Sequence, residues 1–227
     1  MSHQHSSPES TPGDAAAWDE RYASAEQVWS GDPNGALVAE VSALAPGTAL
    51  DVGCGEGADA VWLARRNWRV TALDVSAVAL ERARQHAASA GVDVDWISSG
   101  LEAAELGTYD LVSAQYAVMR ATPGRDAERA LLAAVAPGGL LLVVHHADVD
   151  GPTEHGFDPA DYVMPADLAA LLADDEGWRV ETLERRPRFV SSGAGAGHTH
   201  DLVLVARRAS RPGLTGSFRS RTSRALP

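Results

Sequence analysis

Apolar and polar residues recur along the chain with two periods, and these predict alternating strands and helices. Short apolar or alternating runs predict strands at 48–52, 68–73, 92–97, 109–115, 140–145, 178–184 and 200–206. Amphipathic or capped stretches predict helices at 14–25, 34–44, 57–67, 76–90, 125–135 and 165–172. This alternation is typical of a doubly wound, mostly parallel sheet. We therefore predict one α/β domain over residues 14–207.

Three segments lack that pattern. Residues 1–13 are polar, and residues 208–227 are rich in Ser, Gly and Arg with no acid. Such compositions do not bury enough apolar surface to order a chain, so we predict two disordered tails. The passage 147–162 is long and rich in aspartate, which favours a lid or a binding loop.

A glycine-rich turn, Asp51-Val52-Gly53-Cys54-Gly55-Glu56-Gly57, separates the first predicted strand from its helix. Such a turn lets the backbone approach a ligand, which the N–H groups of the helix start then face. Dinucleotides and S-adenosylmethionine (SAM) both use it, and the spacing also satisfies the relaxed dinucleotide fingerprint. Asp51 and Glu56 would repel a pyrophosphate but suit the ammonium and sulfonium charges of SAM. The turn therefore predicts a SAM site.

A second carboxylate supports this interpretation. Asp74 ends the predicted strand 68–73, and Ser76 opens the next helix. An acid at the carboxyl end of the second strand of a βαβ unit can accept hydrogen bonds from both ribose hydroxyls. We therefore predict that Asp74 binds ribose.

Together these motifs make the chain resemble the class I SAM-dependent methyltransferases. The matching segments are 50–57, 70–74, 109–112 and 136–140, and the N-terminal segment 18–22 with Trp29 and 33–34 resembles the small-molecule and tellurite-resistance branch. The resemblance implies a seven-stranded Rossmann-like sheet whose last strand is antiparallel and lies between the two strands before it.

The resemblance also implies roles for individual residues. Asp51, Gly53, Gly55 and Gly57 would line the methionine half of SAM, Asp74 and Val75 would hold the ribose, and Leu101 would border the adenine. Gln115 and Tyr116 would lie beside the transferring methyl group. Arg21 suits the SAM carboxylate through bidentate pairing, and Trp18, with Tyr22 and Trp29, would form a lid.

Histidines cluster near two predicted strand ends. His145 and His146 end the fifth strand, and His198 and His200 begin the last one, where a two-residue spacing would direct both to one face. If the last strand is antiparallel to the fifth, the four imidazoles converge at the substrate edge. We therefore predict His145, His146 and Tyr116 as catalytic candidates, and we assign no metal site.

Composition removes several function classes. All 19 basic residues are arginine, which excludes a Schiff-base lysine and a phosphate-loop lysine. The net charge of −12 argues against nucleic acid or an anionic membrane as a partner. No stretch reaches the length of a membrane span, residues 1–10 lack the apolar core of a signal peptide, and Cys54 is the single cysteine; a cytoplasmic protein is expected.

Three functions agree with these observations. The first is a SAM-dependent methyltransferase acting on a small-molecule thiol, oxyanion or hydroxyl. The second is an NAD-binding oxidoreductase that uses the same turn, and the third is a non-catalytic SAM-binding regulatory protein. The sequence 113–116, Ser-Ala-Gln-Tyr, contains no acceptor-specific motif.

Overall fold

The structure, a computed structural model, describes residues 15–147, 158–189, 193 and 197–210. Within these residues seven strands form one sheet: β1 Thr48–Val52, β2 Arg69–Asp74, β3 Asp95–Ser98, β4 Tyr109–Gln115, β5 Val135–His146, β6 Trp178–Pro187 and β7 His200–Arg208. The helices are α1 Ala15–Ala23, α2 Gly35–Val41, α3 Ala58–Ala64, α4 Ala77–Ala90, α5 Asp126–Ala133 and α6 Pro165–Leu172. Short 3₁₀ helices cover Leu101–Ala103 and Pro159–Asp161.

The strand order confirms the predicted fold class. The order is β3-β2-β1-β4-β5-β7-β6, with β1 to β5 parallel and β7 antiparallel to both of its neighbours. The last strand therefore lies between the two strands that precede it in the chain, as the resemblance implies.

The core lies on both faces of this sheet. Alternate residues of β5 contribute to opposite sides: Leu141 and Val143 pack with α5 and α6, whereas Leu142 and Val144 pack with α2 and α3. Covering both faces explains why the run 140–144 is almost continuously apolar. It also leaves the carboxyl ends of the parallel strands as the open edge, where ligands bind in such sheets.

The largest boundary error concerns β5. The helix predicted at 125–135 ends at Ala133, and β5 begins at Val135 and continues through Pro137-Gly138-Gly139. Val135 pairs with Tyr109 across an irregular register, so strand pairing overrides the local helical pattern. A Cβ on Gly139 would lie 3.0 Å from the carbonyl oxygen of Tyr109, which explains the glycine where the two backbones meet.

The domain boundary moves slightly. Arg208 belongs to β7 and pairs with Trp178, so the folded part extends at least one residue beyond the predicted limit of 207. The predicted disordered tail 1–13, most of the C-terminal tail and the greater part of the acidic passage lie outside the described residues. Within the described part of the chain, no helix is both long enough and apolar enough to cross a membrane.

Candidate functional site

A pocket of about 300 Å³ opens at the carboxyl edge of the sheet. Most residues predicted for the site line it: Trp18, Asp51, Gly53, Gly55, Gly57, Asp74, Val75, Leu101, Gln115, Tyr116 and His146. Arg21 and His145 are not among its lining residues. We call the part around the glycine turn the acidic end, and the part around Tyr116 and His146 the histidine end.

The glycines of the turn are required mainly by packing within the protein. Gly55 and Gly57 have φ angles of +52° and +82°, which side chains rarely adopt. A Cβ on Gly55 would lie 2.8 Å from the Tyr22 hydroxyl, and one on Gly57 would lie 2.8 Å from Cβ of Ala83. The turn is therefore closely packed against α1 and α4.

The N–H groups of the turn donate to the protein. Gly53 and Cys54 donate to the Leu73 carbonyl at 2.9 and 3.0 Å, and Gly57 donates to the Cys54 carbonyl at 2.9 Å. Gly55 donates to Oδ2 of Asp74 at 2.8 Å. These four N–H groups therefore bond within the protein and offer a pyrophosphate no donor. The prediction concerns the N–H groups at the start of α3, and for those it stays a prediction.

A buried carboxylate lies under the turn instead. Asp51 is 2% exposed, and its Oδ2 has no hydrogen-bond partner among the described residues. Burial raises the pKa of Asp51 well above its usual range, and the negative charges of Asp59 and Asp74 raise it further. A cationic ligand would lower the pKa of Asp51 again, because an opposite charge favours the ionised carboxylate.

Asp74 combines a structural bond with access to the pocket. Its Oδ1 accepts from the N–H of Ser76 at 2.8 Å, and its Oδ2 accepts from Gly55 at 2.8 Å. Burial raises its pKa, while these backbone bonds act in the opposite direction. A carboxylate has about four acceptor sites, so Asp74 can still accept from ligand hydroxyls.

Glu56 has a different role from the one predicted. Its carboxylate accepts from the N–H groups of Val28 and Trp29 at 3.2 and 3.1 Å and pairs with Arg82 at 2.8 Å. The side chain is 4% exposed. Glu56 therefore fastens the loop after α1 to the turn, and its charge is neutralised by Arg82. The electrostatic argument for a cation depends on Asp51 and Asp74.

The predicted aromatic lid surrounds the same turn. Tyr22 is buried, and its hydroxyl accepts from Nε1 of Trp29 at 2.8 Å. Trp18 and Trp29 line the pocket. The exposed Arg21 guanidinium lies 5.1 and 5.2 Å from the ring centroids of Trp18 and Trp29. Its pairing with a ligand carboxylate stays a prediction.

At the histidine end, polar side chains surround Asp201. The Tyr116 hydroxyl donates to Oδ2 of Asp201 at 2.7 Å and accepts from Nε of Arg188 at 3.1 Å. Nδ1 of His146 lies 3.3 Å from Oδ1 of Asp201. Burial raises the pKa of Tyr116, and the charge of Asp201 raises it further.

The four histidines converge only in part. In the β5–β7 register His146 pairs with Asp201 and His145 with Leu202, so adjacent histidines face opposite sides of the sheet. The His198 ring stacks on His146 with centroids 3.7 Å apart. His198 precedes β7, which begins at His200, so strand alternation does not place these two on one face. Burial lowers the pKa of His145 to about 4.

The segment that contains the acidic end is similar to a known protein family. Residues 49–139, from β1 to the start of β5, match the family of methyltransferase domains. This segment of the chain is therefore similar to methyltransferase domains, in agreement with the class I SAM-dependent family that the sequence motifs predict.

Individual relatives of the chain differ in function. The ubiquinone biosynthesis O-methyltransferase of Pectobacterium atrosepticum is 39% identical over 96 residues, which cover 41% of this chain and 40% of that protein. The N-methyltransferase NodS from Bradyrhizobium japonicum WM9, in complex with S-adenosylhomocysteine (SAH), has a TM-score of 0.63 at 21% identity and covers 86% of this chain and 99% of its own. A structure from work on the conversion of a disulfide bond into a thioacetal group during echinomycin biosynthesis has a TM-score of 0.69 at 22% identity, covering 88% and 94%. The two structures show the fold, and the chain spans about 40% of the length of the curated relative.

The sequence pattern did not predict two residues of the histidine end. Asp201 and Arg188 lie on β7 and just after β6, far along the chain from the glycine turn. Asp201 is an acid at the start of an apolar strand, and this could have indicated a site because a buried charge needs partners. Arg188 offered no local signal, since its contact with Tyr116 depends on the strand order.

Proposed function

We propose that this protein binds SAM in the pocket and transfers its methyl group to a small-molecule acceptor. The observation that carries the proposal is the buried Asp51, whose Oδ2 has no hydrogen-bond partner within the described part of the chain. Two further carboxylates, Asp59 and Asp74, lie close enough to raise its pKa. Three acids so close together favour a cationic ligand, and SAM carries an ammonium and a sulfonium.

The residues present fit SAM. Asp51 and the glycine turn would hold the methionine half, Asp74 and Val75 the ribose, and Leu101 would border the adenine, all of which line the pocket. When bound, SAM supplies a methyl group activated by the sulfonium. The protein then has to orient an acceptor and exclude water. The aromatic side chains of Trp18 and Trp29, which line the pocket beside the turn, would help to exclude water.

The oxidoreductase alternative fits less well. NAD binding through this turn requires backbone N–H groups for the pyrophosphate, and those of Gly53, Cys54, Gly55 and Gly57 are used inside the protein. A second negative group beside the buried Asp51 would add repulsion.

Within the methyltransferase proposal, the acceptor is a thiol, an oxyanion or a hydroxyl, and the protein acts in the cytoplasm.

Titration calorimetry with SAM, SAH and NAD tests the proposal. We expect SAM and SAH to bind and NAD not to bind. Asp51→Asn should weaken SAM more than SAH, because SAH lacks the sulfonium charge. Binding of NAD in preference to SAM would contradict the proposal. Tight SAM binding without formation of SAH across a broad acceptor screen would support the regulatory alternative.

A further inference from the structure

The histidine end contains a carboxylate–imidazole pair beside the acidic end of the same pocket. We propose that Asp201 is a positioning residue that orients His146 as the base for a hydroxyl acceptor. The proposal rests on the methyltransferase function proposed above and assigns both the substrate class and the proton acceptor.

The geometry gives the two oxygens of Asp201 separate partners. Oδ2 accepts from the Tyr116 hydroxyl at 2.7 Å and lies 3.6 Å from Nε of Arg188. Oδ1 faces Nδ1 of His146 at 3.3 Å. Asp201 is 7% exposed, so Tyr116 and Arg188 hold its carboxylate in a defined orientation towards the imidazole.

The ring of His146 is fixed in a second way. The His198 ring stacks on it with an interplanar angle of 10°. With Nδ1 donating to Asp201, the neutral tautomer leaves Nε2 as the proton acceptor. The His146 side chain lines the pocket and is 14% exposed, so this nitrogen belongs to a ring that a substrate can reach.

Neighbouring groups are less suited to act as the base. The Tyr116 hydroxyl donates to Asp201, and burial raises its pKa. Burial lowers the pKa of His145 to about 4, and this side chain does not line the pocket. Among the residues that the structure describes, the titratable or charged groups near His146 are Asp201 from β7, Arg188 after β6, Tyr116 after β4, His145 on β5 and His198 before β7.

The chemistry favours a hydroxyl as the acceptor. Its oxygen forms a bond to the methyl carbon, its proton passes to Nε2 of His146, and the electron pair of the broken S–C bond stays on sulfur, which yields SAH. The imidazolium, stabilised by Asp201, then releases the proton to solvent. A thiol ionises far more readily than a hydroxyl and has less need of such a base.

Histidine NMR of the full chain tests the positioning without any acceptor. We expect His146 to be the tautomer protonated at Nδ1, and Asp201→Asn to shift the tautomer population towards Nε2 protonation, because the carboxylate that accepts from Nδ1 is removed. His200→Ala, at a ring that does not line the pocket, is the matched control and should leave the His146 signals unchanged. A tautomer protonated at Nε2 in the wild-type protein would overturn the proposal, and this measurement depends on no variant.

Methylation of catechol, followed as SAH formation, tests the acceptor class, with benzenethiol as the thiol probe. We expect His146→Gln to lower kcat with catechol by about 10²–10⁴-fold. Asp201→Asn should lower kcat by about 10–100-fold. Tyr116→Phe, which retains the carboxylate, should have the smallest effect of the three.

Absence of catechol methylation, or equal catechol rates in wild type and His146→Gln, would overturn the hydroxyl assignment. SAM calorimetry on the same variants separates this failure from failure of the proposed function. His146→Gln and Asp201→Asn should bind SAM as the wild type does, whereas a wild-type protein that binds no SAM would contradict the methyltransferase proposal itself.

Discussion

The two ends of the pocket handle charge in opposite ways. At the acidic end Asp51 is buried with an oxygen that has no partner among the described residues. At the histidine end Asp201 is also buried, but Tyr116, Arg188 and His146 surround it. One end leaves a buried acid without a charged partner in the described residues, and the other surrounds its acid with side chains of the protein.

This difference indicates different tasks. Ionising a buried carboxylate that lacks a partner on one oxygen costs free energy, and a positively charged ligand would offset that cost, so the acidic end is suited to recognition. A carboxylate held by three partners is suited to orienting a neighbour, so the histidine end is built for positioning. The four predictions that follow test this contrast.

The largest expected effect concerns Glu56, the one acid of the glycine turn that is paired. Glu56→Ala should lower the free energy of unfolding by about 3 kcal/mol, because Arg82 and two backbone N–H groups lose their partner. Chemical denaturation measures this free energy. Glu81→Ala, which removes an exposed pair with Arg84, is the control and should change stability little. Equal effects would mean that Glu56 does not fasten the turn.

The second prediction concerns His145, which we expect to affect folding stability, unlike the adjacent His146, which faces the pocket. Its folded pKa of about 4 lies below the ordinary value of 6.5, so the unfolded chain binds more protons between these values. Stability should therefore fall by up to about 3 kcal/mol as the pH falls from 6.5 to 4. His145→Gln should flatten this dependence in denaturation curves, whereas His200→Gln should not. Parallel curves for all three proteins would contradict the assignment.

Asp74→Ala should separate the two ends functionally. Loss of its bonds to the ribose hydroxyls should cost about 1–3 kcal/mol and weaken SAM by about tenfold or more. Calorimetry measures it, with Asp95→Ala, an exposed acid on β3, as the control. The KM for catechol should change far less. Unchanged SAM affinity would remove Asp74 from the site.

The smallest expected effect concerns Arg21. Its exposed guanidinium lies over two indole rings and does not line the pocket, so Arg21→Lys should weaken SAM only by about twofold to fivefold, equivalent to about 0.5–1 kcal/mol. Titration of the variant with SAM measures this. A loss well above tenfold would instead support bidentate pairing with the SAM carboxylate.

The acidic end was accessible to sequence reasoning because its parts are local. The turn 51–57 and Asp74 lie within one βαβ unit, and short-range rules fix the order strand, turn, helix, strand. The details of bonding were not accessible. Glu56 pairs with Arg82 and the loop after α1, and this depends on how α1 packs against α4.

The sequence by itself determined the alternating elements, the glycine turn and the carboxylates that predict a cationic ligand. Only the tertiary structure decided that His146 faces Asp201 while His145 faces away, because that depends on the β5–β7 register. It also brought together Tyr116, Arg188 and Asp201, which come from three separate parts of the chain. Local patterns record the turns and caps, whereas contacts between distant strands depend on strand order and register, which no local pattern encodes.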